Sequence, residues 1–144
     1  MPLRLSIVSY LNSVPFLNGL RRIFSEEELT ISLDIPSECA EKLKRGEVEI
    51  GLIPVAALPS IPGAVVFSDY CIACDGEVGS VLLFSDKPVQ EIRTVLLDYQ
   101  SRTSVRLVKL LLEHHWKKAV EYLPSSPGYE EQIKGDVAGV VIGD

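Results

Sequence analysis

Apolar runs and stretches with helical spacing alternate along most of this chain. Six runs have the length and pattern of strands: Leu3 to Val8, Leu29 to Ile35, Glu49 to Ile53, Thr94 to Leu97, Ala119 to Leu123 and Val137 to Ile142. Segments with helical spacing or capping residues lie between them, at about Phe16 to Phe24, Glu38 to Arg45, Pro54 to Leu58, Thr103 to Lys117 and Ser125 to Lys134. Strands that alternate with helices predict βαβ units. We therefore expect an α/β fold with mostly parallel sheets.

The alternation pauses between about residues 64 and 92. Here β-like segments follow one another directly, and we expect three strands, at Ala64 to Phe67, Tyr70 to Ala73 and Val78 to Ser85. A break in a βαβ pattern is where a chain can cross between two lobes. The sequence therefore predicts a first lobe over residues 1–78 and a hinge strand with a second lobe over residues 79–144.

The last predicted strand, Val137 to Ile142, is apolar throughout, as a strand covered on both faces should be. The sequence stops two residues later, at Asp144, without a helix to cover it. We therefore expect a fold truncated at its C-terminus, the front portion of a longer protein. If the chain ended there in the cell, a homodimer would be one way to complete its sheets.

Composition and charge narrow the class of protein. A hydrophobic content of 47% and a charged content of 24% are close to the globular average. The net charge of −6 argues against a nucleic-acid partner, which would bind a basic stripe. No stretch approaches the roughly 18 apolar residues of a membrane span, and no signal-peptide cleavage pattern follows the apolar start. Three cysteines, an odd number, fit a reducing compartment, so we expect a cytoplasmic protein.

Two polar turns directly follow predicted strands and open predicted helices. Asn12 and Ser13 form the first, and Ser101-Arg102-Thr103-Ser104 form the second. Asn and Ser cap helices, so a purely structural interpretation of both turns is open. Helix N-termini at the carboxyl ends of parallel strands also bind anions. Two such turns in different lobes, facing one cleft, would suit a ligand with two anionic groups, and Arg102 would either bind a carboxylate or point to solvent.

A glycine and a hydroxyl interrupt the apolar crossing strand at Gly79-Ser80. They indicate either close approach of the backbone to a ligand or a bulge. Cys71 and Cys74 have CxxC spacing, but residues three apart in a strand point to opposite faces, so we expect no metal site there. The sequence has no GxGxxG, Walker A or GxSxG motif, so dinucleotide, P-loop and hydrolase-elbow chemistry lose support, and we expect no cofactor.

Five stretches of the sequence occur in the same order in one known family. They are Tyr10-Leu-Asn-Ser-Val-Pro-Phe16, Gly46-Glu-Val-Glu-Ile-Gly-Leu-Ile-Pro54, Cys74-Asp-Gly-Glu-Val-Gly-Ser-Val-Leu-Leu-Phe-Ser85, Ser101-Arg-Thr-Ser104 and Val140-Val-Ile-Gly-Asp144. Over essentially its whole length the chain resembles the chorismate dehydratases, the first enzymes of the futalosine route to menaquinone. Members of that family are roughly twice this length, which agrees with the expected truncation.

The resemblance implies a type II periplasmic-binding-protein-like fold with two α/β lobes, a two-stranded hinge and a cleft between the lobes. It implies the removal of water from chorismate, a dicarboxylate, to give 3-[(1-carboxyvinyl)oxy]benzoate. Asn12 is similar to the family's active-site asparagine, and Ser80 to a serine that contacts a substrate carboxylate. The second polar turn is similar to the helix end that receives the ligand. The residues expected to bind substrate are Ser13, Ser80, Ser101, Arg102, Thr103 and Ser104.

Two alternatives stay open at the level of the sequence. One is a non-enzymatic solute-binding or ligand-sensing domain of the same fold for a small carboxylate. The other is the sister naphthoate-forming enzyme of the same pathway, whose motifs match this chain less well. The first would need the same cleft and helix ends, and the second shares the fold, so incubation with chorismate, followed by absorbance for an aromatic product, would separate all three.

Overall fold

The chain divides after Asp75 into two α/β units. In the computed structural model, which describes residues 1–143, the first unit is Met1–Asp75 and the second is Gly76–Gly143. The division falls inside the segment in which the sequence loses its regular alternation. Each unit has its own sheet, and each is described separately below.

A parallel three-stranded sheet forms the first unit. Its strand order is β2-β1-β3, with β1 at Leu3–Val8, β2 at Leu29–Asp34 and β3 at Ile50–Gly51. Helix α1 (Val14–Ile23) connects the first two strands and helix α2 (Pro36–Lys44) the next two; 3-10 turns lie at Leu11–Ser13 and Val55–Ser60. Because β1 is central, its carboxyl end lies between those of its two neighbours.

A four-stranded sheet forms the second unit, in the order β4-β7-β5-β6. Its strands are β4 (Val81–Phe84), β5 (Thr94–Leu97), β6 (Glu121–Pro124) and β7 (Val137–Ile142). The pairs of β5 with β6 and with β7 are parallel, whereas β4 runs antiparallel to β7. Helix α3 (Thr103–Leu110) continues as a π-helical turn, Leu111–His115, and 3-10 turns lie at Val89–Glu91 and Tyr129–Gln132. The core of this unit consists of Ile92, Val95, Val108, Leu112, Ala138 and Val140.

The predicted α/β class and the predominance of parallel pairing are confirmed within residues 1–143. The strands Leu3–Val8, Thr94–Leu97 and Val137–Ile142 have the predicted bounds, and β7 is central in its sheet, as its apolar sequence indicates. Apart from the two strands predicted within residues 64–73, the remaining elements agree in kind but differ in extent. The helix predicted over residues 103–117 ends as an α-helix at Leu110, and the one predicted over residues 125–134 is a single 3-10 turn.

Two predicted strands are wrong. Residues 64–67 and 70–73 form no strand, and the third β-like segment is shortened to Val81–Phe84. Apart from Ala64, which is half-buried, the apolar side chains of the first two segments are exposed; Val65 is 78% and Tyr70 79% accessible. A β-like composition produces a strand only where a neighbouring strand supplies the hydrogen bonds and packing, and residues 1–143 supply none for these segments.

Gly139 gives a prediction about the stability of the second unit. A Cβ built at this position on β7 would overlap the side chain of Ile133, with Cγ1 at 2.8 Å, and would touch the Tyr129 ring at 3.5 Å. We expect Gly139→Ala to lower the free energy of unfolding by about 1–3 kcal/mol, because Ile133 must leave its position. Gly19→Ala in α1 is the matched control, since a Cβ there meets nothing within 4 Å. Urea unfolding measures both variants, and an equal loss in the two would contradict the expectation.

Candidate functional site

The turn after β1 presents Asn12 to solvent. Asn12 lies in the middle of the 3-10 turn Leu11–Ser13; its side chain is exposed and makes no hydrogen bond with other residues in 1–143. Ser13, only 3% exposed, connects this turn to the end of β1. Its hydroxyl bonds to the carbonyl oxygen of Tyr10 at 2.6 Å and to that of Val8. An uncommitted carboxamide is thus held at the carboxyl end of a central strand by a buried hydroxyl.

The predicted side-chain cap at the start of α1 is wrong. Ser13 occupies the N-cap position but makes no side-chain cap hydrogen bond, and its backbone angles (φ −93°, ψ −7°) are helical. The preceding 3-10 turn explains both facts, because it rotates the hydroxyl back towards the end of β1. Pro15 lies in the first turn of α1, as predicted. Substrate binding by Ser13 stays a prediction, and the hydrogen of its hydroxyl is committed to the two carbonyl groups.

A serine caps the start of α3, as predicted, from the position directly before the N-cap residue Arg102. Ser101 is buried, and its Oγ accepts the backbone N–H of Ser104 at 3.0 Å. Arg102 is exposed, and Thr103 and Ser104 are half-buried. The cap therefore orders the turn that follows β5, and the side chains of residues 102–104 occupy its accessible side.

Ser80 lies at the same edge of the second sheet as this turn. It is exposed in the turn before β4, outside the strand in which the sequence places it. Val81 pairs with Ile142, and the N–H of Gly143 donates to the carbonyl oxygen of Ser80 at 3.1 Å. Because β4 is antiparallel to β7 and β7 is parallel to β5, the start of β4 lies beside the carboxyl ends of β7 and β5. Ser80 and the turn after β5 are therefore two strand positions apart, or about 10 Å.

Gly79 and Ser80 form a turn before β4 and do not lie within the strand, so the interpretation as a strand bulge is wrong, whereas close approach of a ligand to Gly79 stays a prediction.

The buried residues Asp98 and Tyr129 extend the second turn into the core. Asp98, 4% exposed, directly follows β5, and its Oδ1 accepts the N–H of Gln100 at 2.7 Å and that of Ser101 at 3.0 Å. The hydroxyl of Tyr129 lies 2.8 Å from Asp98 Oδ2 and 2.5 Å from the carbonyl oxygen of Val140. Burial, followed by the hydrogen bond to Asp98, raises the pKa of Tyr129, so the phenol stays protonated.

Sequence reasoning missed both residues of this pair. The role of Asp98 could have been predicted, since an Asp directly before a polar turn commonly accepts the backbone N–H groups two and three residues later, in an Asx turn. Tyr129 carried none, because its partner is 31 residues away and the contact depends on how β6 and β7 are arranged.

The CxxC pair lies outside any strand. Cys71 and Cys74 are exposed cysteines without a disulfide bond, in the irregular segment before β4. The prediction that a strand would point them to opposite faces therefore rests on a wrong element. Within residues 1–143, no three His, Cys, Asp or Glu side chains are grouped so as to hold a metal ion.

These features define a protein of two α/β units in which polar turns follow the carboxyl ends of parallel strands. No helix within residues 1–143 has both the length and the apolar character needed to cross a membrane. The family model described as menaquinone biosynthesis matches residues 3–144. The chain therefore belongs to this family of menaquinone biosynthesis proteins, and the resemblance carried by the five stretches is confirmed at the level of the pathway.

Proposed function

We propose that this protein is a chorismate dehydratase that supplies 3-[(1-carboxyvinyl)oxy]benzoate to menaquinone biosynthesis. The observation that carries the proposal is the menaquinone biosynthesis match along residues 3–144, which includes all the stretches that resemble the dehydratases. The arrangement of the second unit supports it, because Ser80 and the Ser101–Ser104 turn lie at one edge of one sheet.

The proposed reaction requires little from the protein beyond orientation. One ring C–H bond and the ring C–O bond to the hydroxyl break, and the proton and hydroxide leave together as water. The electron pair of the C–H bond completes the aromatic ring, so no oxidant or reductant takes part. A weak base, a polarising group at the hydroxyl and an exit for water are sufficient.

The described residues divide these tasks in the following way. Asn12 orients the substrate or polarises its leaving hydroxyl, since its carboxamide is exposed and uncommitted within residues 1–143. Ser80 and the side chains of Arg102, Thr103 and Ser104 bind substrate carboxylate, and Ser101 and Ser13 hold the two turns in place. A carboxylate of the substrate itself takes the ring proton, because these turns offer no histidine or lysine as a base.

The resemblance supplies the remaining parts of the proposal. It supports a type II periplasmic-binding-protein-like fold for this protein, with chorismate bound at the polar turns. The reaction takes place in the cytoplasm and needs no cofactor.

Incubation of the intact protein with chorismate tests the proposal. We expect the absorbance of an aromatic product to rise in proportion to enzyme concentration, with one product that has the mass of chorismate minus water. Tight chorismate binding without product would indicate the solute-binding or sensing alternative. Neither binding nor product would direct the search to the sister naphthoate-forming enzyme.

A further inference from the structure

One hydrogen-bond network connects the start of α3 to the centre of the second sheet. It runs from the N–H groups of Gln100 and Ser101 to Asp98, and from Asp98 through the Tyr129 hydroxyl to Val140 on β7. Each oxygen of the buried carboxylate has a partner, although none of them is a cation. The missing Cβ of Gly139 leaves room for Ile133, which packs beside the Tyr129 ring at this position of β7. The network therefore fixes the position and the orientation of the turn relative to the second sheet.

The network also decides which donors remain for a ligand. The N–H groups of Gln100 and Ser101 are directed at Asp98, and that of Ser104 is directed at Ser101 Oγ. An anion at this turn therefore cannot use these three donors. It also lies near a buried negative charge, which opposes its binding unless the charge is dispersed by hydrogen bonds.

We propose that Asp98 and Tyr129 are positioning residues for substrate binding at the Ser101–Ser104 turn. Asp98 fixes the backbone of the turn as an acceptor, and Tyr129 disperses the charge of Asp98 and anchors it to β7. The inference rests on the proposed chorismate dehydratase function for its kinetic readout, but its structural readout is independent of that function.

The single hydrogen of the phenol makes the proposal specific. A tyrosine hydroxyl has one hydrogen to donate and can also accept a hydrogen bond. In a variant it can therefore accept from the neighbour to which it donates in the natural protein. In Asp98→Asn, the amide oxygen keeps both backbone N–H groups, the amide nitrogen donates to Tyr129, and Tyr129 donates to Val140. In Asp98→Ala all of these bonds are lost. In Asp98→Asn combined with Tyr129→Phe, a buried amide NH₂ loses its partner.

Steady-state kinetics of the intact protein with chorismate test these expectations. Tyr129→Phe should raise KM about fivefold and Asp98→Ala about tenfold or more, with much smaller changes in kcat. Asp98→Asn should have a KM equal to or below that of the natural protein, and the double variant should lose this rescue. Ser125→Ala is the control, since it removes a different hydroxyl bond at the end of β5, the 2.7 Å bond to the Leu97 carbonyl.

The outcomes separate this inference from the proposed function. An Asp98→Asn variant as impaired as Asp98→Ala, or a Tyr129→Phe variant with lower stability but an unchanged KM, would overturn it.

If the natural protein leaves chorismate unchanged, the proposed function fails while the network is still testable by amide hydrogen exchange. Exchange at Ser101 should then accelerate about tenfold in Asp98→Ala and stay constant in Ser125→Ala. Unchanged exchange at Ser101 in Asp98→Ala would overturn the positioning role.

Discussion

Replacement of Asn12 by alanine is expected to lower kcat/KM of the proposed chorismate dehydration about a hundredfold, the usual cost of removing one polarising group at a reacting centre. The fold should persist, because the Asn12 side chain is exposed and the turn is held by Ser13 rather than by Asn12. Initial rates of aromatic product formation measure the activity, and thermal unfolding measures the stability of the same preparations.

Asn18→Ala is the matched control for this variant. Asn18 is an exposed asparagine on α1, six positions further along, so its replacement removes the same group outside the turn. We expect its activity and stability to stay close to those of the natural protein. If Asn12→Ala keeps the natural turnover and chorismate affinity, Asn12 has neither an orienting nor a polarising role. If Asn18→Ala loses as much activity, the effect belongs to α1 as a whole.

The bounds of several strands could be predicted because local pattern and tertiary environment agree. β5 and β7 are short apolar runs between polar residues, and they lie in the interior of the second sheet with Val95 and Ala138 fully buried. The residues around Val65 and Tyr70 have a similar local composition without a pairing partner among residues 1–143. Pairing is a long-range property, so the sequence pattern could not separate the two cases.

The positions of the candidate site residues along the chain could be predicted from the sequence, but most of their hydrogen bonds could not. The cap at Ser101 follows from a local rule, the preference of serine at helix starts, and the structure has it. The same rule fails at Ser13, because the 3-10 turn before α1 directs the hydroxyl to the strand. Tyr129 depends on the packing of distant elements, and the edge position of Ser80 depends on the antiparallel direction of β4. Neither is encoded by a local pattern.

The ion pair between Lys42 and Asp34 gives the largest expected effect on stability. Lys42 Nζ lies 2.7 Å from Asp34 Oδ1, and the two side chains are only 23% and 13% exposed. Ser6 on the adjacent strand β1 and Ser32, two residues before Asp34 on β2, also donate to Asp34 Oδ2, both at 2.7 Å. We expect Lys42→Met to lower the free energy of unfolding by about 3 kcal/mol, because it leaves a largely buried carboxylate without its cation.

Two controls define the origin of that loss. Lys44→Met removes the same charge from an exposed position on the same helix, and we expect a change within about 0.5 kcal/mol. The double variant Asp34→Asn with Lys42→Met should recover part of the loss, since removing both charges costs less than isolating one. A double variant as unstable as Lys42→Met would show that lost packing of the lysine stem, rather than the isolated charge, is responsible.

The pH dependence of the loss follows from the pKa of Asp34. Burial alone would raise this pKa, but the hydrogen bonds from Lys42, Ser32 and Ser6 outweigh burial and hold the pKa below its usual value of 3.8. The pair therefore stabilises the natural protein above pH 3.8, and this contribution is lost as the pH falls through the lower pKa of the folded state. In Lys42→Met the pKa of Asp34 is higher than in the natural protein, because the hydrogen bond and the charge of Lys42 that lower it are lost, and protonation on acidification relieves the isolated charge. The stability difference between the two proteins should thus be largest at neutral pH and shrink as acidification protonates Asp34 in the variant first, whereas a difference that stays constant in urea unfolding from neutral pH to below pH 3.8 would exclude Asp34 as its source.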